Sequence, residues 1–348
     1  MLEYWSNGVM EQWVGSGLYS STPSPLYSRS QPIIAMARAQ EASRLVADLS
    51  PVPGVRLKLD EPLARYTSMK IGGPADYFIE ADHGAALAQV LIALRRHQVR
   101  FCLLGNGSNV LISDRGVRGA VIHLTGEFKR IEWRDGGDVI EVEAGAAYPV
   151  TRLARQAARK GYAGLEFAEG IPGSVGGALV MNAGAYGSEI EKIVERVDAI
   201  DHDGQALVFS RAQMTFSYRD SHLPPGTVVT GVVLRLRRGE AAQVNAKLRE
   251  LVGKRKSSQP SGFPNSGSMF RNPPGDFAGR LIEASGLKGR RNGQAQIAER
   301  HANFIVNLGG AKATEVRQLM ELAESEVRRR FNINLIAEVK YLGEWLDN

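Results

Sequence analysis

Two glycine-dense polar loops constrain this chain more than any other feature. Leu104-Gly-Asn-Gly-Ser-Asn-Val110 follows an apolar run that reads as a strand from Val99 to Leu104. Gly170-Ile-Pro-Gly-Ser-Val-Gly-Gly177 is followed closely by Met181-Asn-Ala-Gly-Ala-Tyr-Gly187. Glycine makes up 38 of 348 residues, about 11% against a usual share of about 7%, so the backbone must often take positive φ or approach something closely. Taken singly, each loop reads equally as a structural turn or as an anion cradle built from backbone N–H groups, and the presence of two strengthens the ligand reading. The first loop lacks the third glycine of the dinucleotide fingerprint, and the segment from Val110 to Ser113 is too short and apolar to open a helix.

At roughly 150 residues per domain, this length implies two to three domains. Residues 1–34 carry turn formers without a sustained period and read as a poorly ordered arm, with Met36 as an alternative start. Amphipathic spacing predicts helices from Asp82 to His97 and from Tyr148 to Lys160, the latter ended by Gly161. Strands are expected at Ala120 to Leu124, Phe128 to Trp133, Val139 to Val142, Val197 to Asp201 and Val228 to Arg235. The basic helical stretch from Ala241 to Ser257 marks a domain crossing. A long helix capped by Thr314 places Val316, Leu319, Met320, Ala323 and Val327 on one face, and a last strand runs from Asn334 to Leu342.

The 43 basic and 37 acidic residues give a net charge of +6. That balance suits phosphate or carboxylate ligands and equally nucleic acid. The basic groups Lys254-Arg-Lys256, Lys288 and Arg290-Arg291 lack interleaved aromatics for base stacking, so a diphosphate fits them better than a single strand. The single cysteine, Cys102, excludes an internal disulfide and a thiolate zinc site, and no metal cluster is expected. With no apolar run near ~18 residues and no basic residue before Arg29, neither a spanning helix nor a signal peptide is expected, which points to a cytoplasmic protein.

Four residues carry possible chemistry. Ser268, in a proline-flanked loop, reads as a turn serine or a proton donor, and without a GxSxG elbow it is no hydrolase nucleophile. In the last strand Leu335, Ala337, Val339 and Tyr341 form one face, so Glu338 lies on the other with Ile336 and Lys340, toward solvent or a cleft. Arg219 could fork onto a carboxylate or simply pair with its neighbour Asp220. His301 reads as a structural histidine or a ligand-pocket residue.

These motifs together resemble the UDP-N-acetylenolpyruvoylglucosamine reductase family, from about Leu59 to Gly343. The resemblance rests on Tyr66-Thr-Ser-Met-Lys-Ile-Gly-Gly-Pro-Ala75, the two glycine loops, Gly164-Leu-Glu-Phe167, Tyr218-Arg-Asp-Ser221, Gly267-Ser-Met-Phe-Arg-Asn-Pro273, His301-Ala-Asn-Phe-Ile-Val-Asn307 and the Glu338 strand. It implies an α+β protein: a two-lobed FAD-binding region of the vanillyl-alcohol-oxidase-like (PCMH-type) fold, followed by an α+β domain for the UDP-sugar. The expected division is an arm at 1–50, lobes at 51–115 and 116–240, and the sugar-nucleotide domain at 241–348. The short interval between Tyr218 and Val228 resembles the subtype without a tyrosine-bearing loop.

The implied activity is NADPH-dependent reduction of UDP-N-acetylenolpyruvoylglucosamine through FAD in peptidoglycan precursor synthesis, with no nucleic-acid or membrane partner and as a monomer. By the same resemblance Ser268 is the proton donor, with Arg219 and Glu338 stabilising the enol intermediate. FAD would be held by Ile71, Gly72, Gly73, Gly105, Asn106, Gly107, Ser108, Asn109, Val110, Gly170, Ile171, Pro172, Gly173, Ser174, Gly176, Gly177, Asn182, Ala183 and Gly184. The substrate would be held by Tyr218, Lys256, Asn272, Lys288 and His301. The competing reading is an FAD-dependent oxidase of a small alcohol or sugar with the same flavin fold.

Overall fold

Residues 43–345, together with the short antiparallel strand pair Trp5–Ser6 and Val9–Met10, are described by a computed structural model. Apart from that strand pair, the arm expected at residues 1–34 lies outside the described residues. The arm's last part is corrected: residues 43–49 are helical, because Leu45 and Leu49, spaced i and i+4, both bury against the first lobe.

The first lobe is a four-stranded sheet in the order Val55–Pro62, Pro74–Ala81, Val117–Leu124, Phe101–Leu103. Its first pair is antiparallel and the others are parallel, the Pro74–Ala81 to Phe101–Leu103 connection being made by the helix Gly84–Arg96. Val117–Leu124 thus belongs to this sheet, so the boundary expected between residues 115 and 116 falls after Leu124. The strand expected at Phe128 to Trp133 begins only at Ile131, because Gly126–Lys129 closes a 3-10 turn first.

The second lobe is an antiparallel sheet in the order Ala206–Ser210, Val194–Ile200, Val228–Arg238, Val139–Gly145, Ile131–Gly136. Alternation in Val139–Gly145 buries Ile140, Val142 and Ala144, which share one apolar core with Leu153, Ala154 and Ala157 of the helix Val150–Arg159. The third unit pairs Asn265–Ser268 with Phe304–Asn307, then Ala295–Ile297, then Arg291–Asn292. The helix Ala313–Phe331 seals it with the five apolar residues expected on one face, all buried.

That helix is not capped by Thr314. Its first N–H groups, on Ala313 and Thr314, donate to Asp114 of the first lobe at 2.8 and 2.9 Å, a carboxylate placed where the helix dipole favours negative charge. The last strand is also shorter than expected. Only Lys340–Leu342 forms a ladder, parallel to Val110–Ile112, and the preceding chain is tied by one bridge between Phe270 and Ala337. The third unit is therefore hydrogen-bonded to the strand that leaves the first glycine loop.

Candidate active site

A cavity of about 450 Å³ lies where the three units meet. One wall is the first glycine loop. Gly107 takes φ +57°, and a Cβ there would lie 2.3 Å from the Tyr66 carbonyl oxygen, so no other residue fits without moving backbone. Among the described residues, none accepts a hydrogen bond from the backbone N–H groups of Gly105, Asn106, Gly107, Ser108 or Asn109. The second loop packs on the first: Ser108 Oγ donates to the Pro172 carbonyl at 2.8 Å, and a Cβ on Gly105 would meet Ser174 Oγ at 2.7 Å. In this loop Val175 and Gly176 donate to Tyr148 and Ala146, and Ser174 caps the helix Val175–Val180 by accepting from Gly177. Gly173 and Ser174 keep backbone N–H groups without a described acceptor.

A second part of the lining, adjoining the first, is built from side chains. Ser217 and Asp220 exchange backbone hydrogen bonds in a tight turn that forces Arg219 to φ +63°. From there Arg219 Nε donates to Glu338 Oε1 at 2.9 Å, and its guanidinium lies 5.0 Å from the Tyr218 ring centroid. Burial pushes the Glu338 carboxyl above the ordinary carboxylate range, with Arg219, Arg271 and Lys340 pulling the other way. Burial likewise holds the Lys340 ammonium below its usual range, aided by Arg271 and opposed by Asp220 and Glu338. Ser268 ends the strand Asn265–Ser268, after Gly267 at φ +77°. Its neighbour Met269 accepts from the Glu338 N–H at 2.8 Å, so the serine and the carboxylate sit on adjoining segments of the same wall. The two expected faces of the 335–341 segment are correct; Glu338 and Lys340 of the second face line the cleft, while Ile336 is exposed to solvent.

Residues 259–342 match the model of the UDP-N-acetylenolpyruvoylglucosamine reductase C-terminal domain, and residues 75–210 match that of an FAD-binding domain. UDP-N-acetylenolpyruvoylglucosamine reductase 2 of Symbiobacterium thermophilum is 46% identical over 292 residues, covering 84% of this chain and 93% of that protein. The corresponding reductase of Rubrobacter xylanophilus is 44% identical over 289 residues, covering 82% and 95%. The crystal structure of the Thermus caldophilus enzyme superposes with a TM-score of 0.71 at 38% identity, covering 83% of this chain and 98% of that one. The chain belongs to the UDP-N-acetylenolpyruvoylglucosamine reductase family. It is an FAD-dependent oxidoreductase, and the C-terminal domain sets aside the alcohol or sugar oxidase reading.

The cavity of this reductase fits a flavin dinucleotide, because seven backbone N–H groups on its glycine-loop wall have no acceptor among the described residues, as a pyrophosphate cradle requires. The motif residues divide, however. Gly105 to Val110, Ile171 to Ser174, Gly176, Gly177, Ala183 and Gly184 line the cavity, as do Arg219, Ser268 and Glu338. Ile71, Gly72, Gly73 and Gly170 lie behind its walls: Ile71 is buried in the C-terminal core, a Cβ on Gly73 would strike the Asp114 carbonyl, and Gly170 lies against Arg255. Asn182 is 1% exposed and spends its side chain on Glu189, the Ser217 carbonyl and the Glu191 N–H, bracing the Arg219 turn.

The residues carried over for the sugar nucleotide are the least well gathered. Asn272 Oδ1 accepts from Ala278 N–H at a helix start, Lys288 pairs with Glu283, and Asn303 N–H donates to His301 Nδ1. Tyr218 lies under Arg219 and is half exposed. The Lys254-Arg-Lys256 run contributes Arg255 rather than Lys256. Arg255 lines the cavity, its pKa pushed down by burial, and pairs with no carboxylate among the described residues. Helical phase decides this, since adjacent residues point about 100° apart and only one can face the cavity. Gln259 and Lys340 are further lining residues that sequence reasoning missed, and Lys340 could have been found from its place two residues after Glu338 on an extended segment.

Proposed function

We propose that this reductase takes NADPH as its hydride source, with Ser268 as proton donor and Arg219 and Glu338 as the groups that hold and stabilise the enolpyruvyl unit. The chain reduces UDP-N-acetylenolpyruvoylglucosamine, a step of peptidoglycan precursor synthesis, and the product of the proposed chemistry is UDP-N-acetylmuramate. When bound, FAD supplies the hydride that C3 of the enolpyruvyl ether accepts. The remaining work falls to the chain: charge moves through C2 onto the substrate carboxylate, and C2 needs one proton.

The observation that carries the reading is the convergence of Arg219, Ser268 and Glu338, from three separated segments, on the same cavity as the two glycine loops. Arg219 is placed to neutralise the growing carboxylate charge while Glu338 fixes its guanidinium by the 2.9 Å bond. Ser268 carries a hydroxyl with no acceptor among the described residues, so its proton is free for C2. Arg255, which lines the cavity from the helix Ala241–Ser258, suits the diphosphate. All of these groups come from one chain, which fits a monomer. We place the reaction in the cytoplasm, where the nicotinamide donor and the sugar nucleotide would be met. No helix among the described residues is long and apolar enough to cross a membrane.

Separating the half-reactions tests the assignment. In Ser268→Ala, rapid mixing with NADPH should bleach the flavin at nearly the normal rate, whereas reoxidation by the sugar nucleotide should slow by about 10² to 10⁴, the range of general acid catalysis. Normal reoxidation, or equal loss in both halves, removes Ser268 from the role.

A further inference from the structure

The backbone of Glu338 is held from both sides. Its N–H donates to the Met269 carbonyl at 2.8 Å, and its carbonyl accepts from Asn109 Nδ2 at 3.1 Å. Asn109 also accepts, through its own carbonyl, from the Lys340 N–H at 2.9 Å, the first bond of the ladder between Val110–Ile112 and Lys340–Leu342. The Asn109 carboxamide therefore extends that ladder by one rung past the point where backbone pairing stops. Asn109 is at the same time the last of the five cavity-lining residues of this loop whose N–H groups have no acceptor among the described residues.

We propose that Asn109 is a positioning residue for the reaction, fixing the main chain of Glu338 so that its carboxylate meets Arg219, and so tying the cofactor loop to the reaction centre. The inference rests on the reading that Glu338 acts in the reaction, and it assigns the Asn109 side chain a task other than cofactor contact. The backbone N–H remains for the cofactor while the carboxamide is committed to Glu338. One side of this extended segment is pinned by the Phe270–Ala337 bridge and by the bonds Arg271 N–H to Ile336 and Glu338 N–H to Met269, while on the other side the Glu338 peptide is held by the Asn109 carboxamide. A small displacement of a positioning group is costly where geometry governs rate.

The test uses the FAD-loaded enzyme and a double-mutant cycle with turnover expressed per bound flavin. Asn109→Ala should retain its FAD, since the backbone N–H is kept, and should lower kcat about tenfold while KM for the sugar nucleotide moves less than about twofold. The combined Asn109→Ala/Glu338→Gln variant should be no slower than Glu338→Gln alone, because Asn109 acts only through that carboxylate. Asn109→Asp, which keeps the size of the side chain, should be slowed similarly, since an ionised carboxylate cannot donate to the Glu338 carbonyl. Losses that multiply in the cycle, or a deficit fully explained by missing flavin, overturn the proposal. Slow Glu338→Gln with normal Asn109→Ala overturns it alone, whereas normal turnover in Glu338→Gln removes the underlying reading as well.

Discussion

The two walls of the cavity are made of different material. The glycine-loop wall offers main-chain N–H groups, from Gly105 to Asn109 in one loop and Gly173 and Ser174 in the other, while the adjoining wall offers Arg219, Ser268 and Glu338 as side chains. Backbone donors are fixed by the fold and vary little with side-chain identity, which suits a resident group that must be held. Side chains can be charged, shifted in pKa and spent as acids, which suits a reacting group. The consequence is a separation of effects: damage to the first wall acts through cofactor occupancy, and damage to the second acts on turnover with occupancy kept.

The largest expected effect comes from Gly107→Val. A side chain there meets the backbone of Tyr66 and Thr67 rather than a flexible tip, in a φ region closed to branched residues, so the loop must rebuild. The variant should purify without flavin, read from the ratio of flavin to protein absorbance. Retention of full flavin removes this loop from the cradle.

Glu338→Gln should come next, with turnover down about 10²-fold and flavin content unchanged. The amide oxygen can still accept from Arg219 Nε, so folding loses little. Stability adds a sign. A carboxyl raised above its ordinary value of 4.5 binds its proton more tightly when folded, so its contribution falls as pH rises from about that value through the raised one. Melting of the variant relative to the natural protein should therefore improve as pH rises through that window. A variant that instead loses stability with rising pH makes Glu338 a structural anion.

Gly173→Val should do less than Gly107→Val. Its φ of +141° is strained for any side chain, but the nearest atom is Ser108 Oγ at 3.1 Å, a hydroxyl that can rotate away. FAD affinity should weaken about tenfold, in line with a strain of about 1–3 kcal/mol per such residue, measured by titrating FAD into apoprotein. Equal loss in the two glycine variants means the loops are not used differently.

Much of this arrangement is legible from local pattern. The glycine loops announce themselves by composition, the five-residue face of Ala313–Phe331 by helical period, and the cleft side of Glu338 by strand period. What escapes is set by distant chain. Asp114 caps a helix about two hundred positions away, which no local capping rule detects. The final strand is short because its partner offers only Val110–Ile112. Asn109 reads as a loop residue of a cofactor motif, and its bond to Glu338 exists only in the folded chain. The seven-residue helix at 43–49 is too short for its period to stand out.

The separation of the two walls is tested most directly by titrating FAD into Ser268→Ala and Gly173→Val apoproteins and reading turnover per bound flavin in each. The account predicts that Ser268→Ala binds FAD with normal affinity yet turns over at least about 10²-fold more slowly per flavin, whereas Gly173→Val needs about tenfold more FAD and then turns over normally. If affinity and turnover per flavin fall together in both variants, the cavity has no such division and the account is wrong.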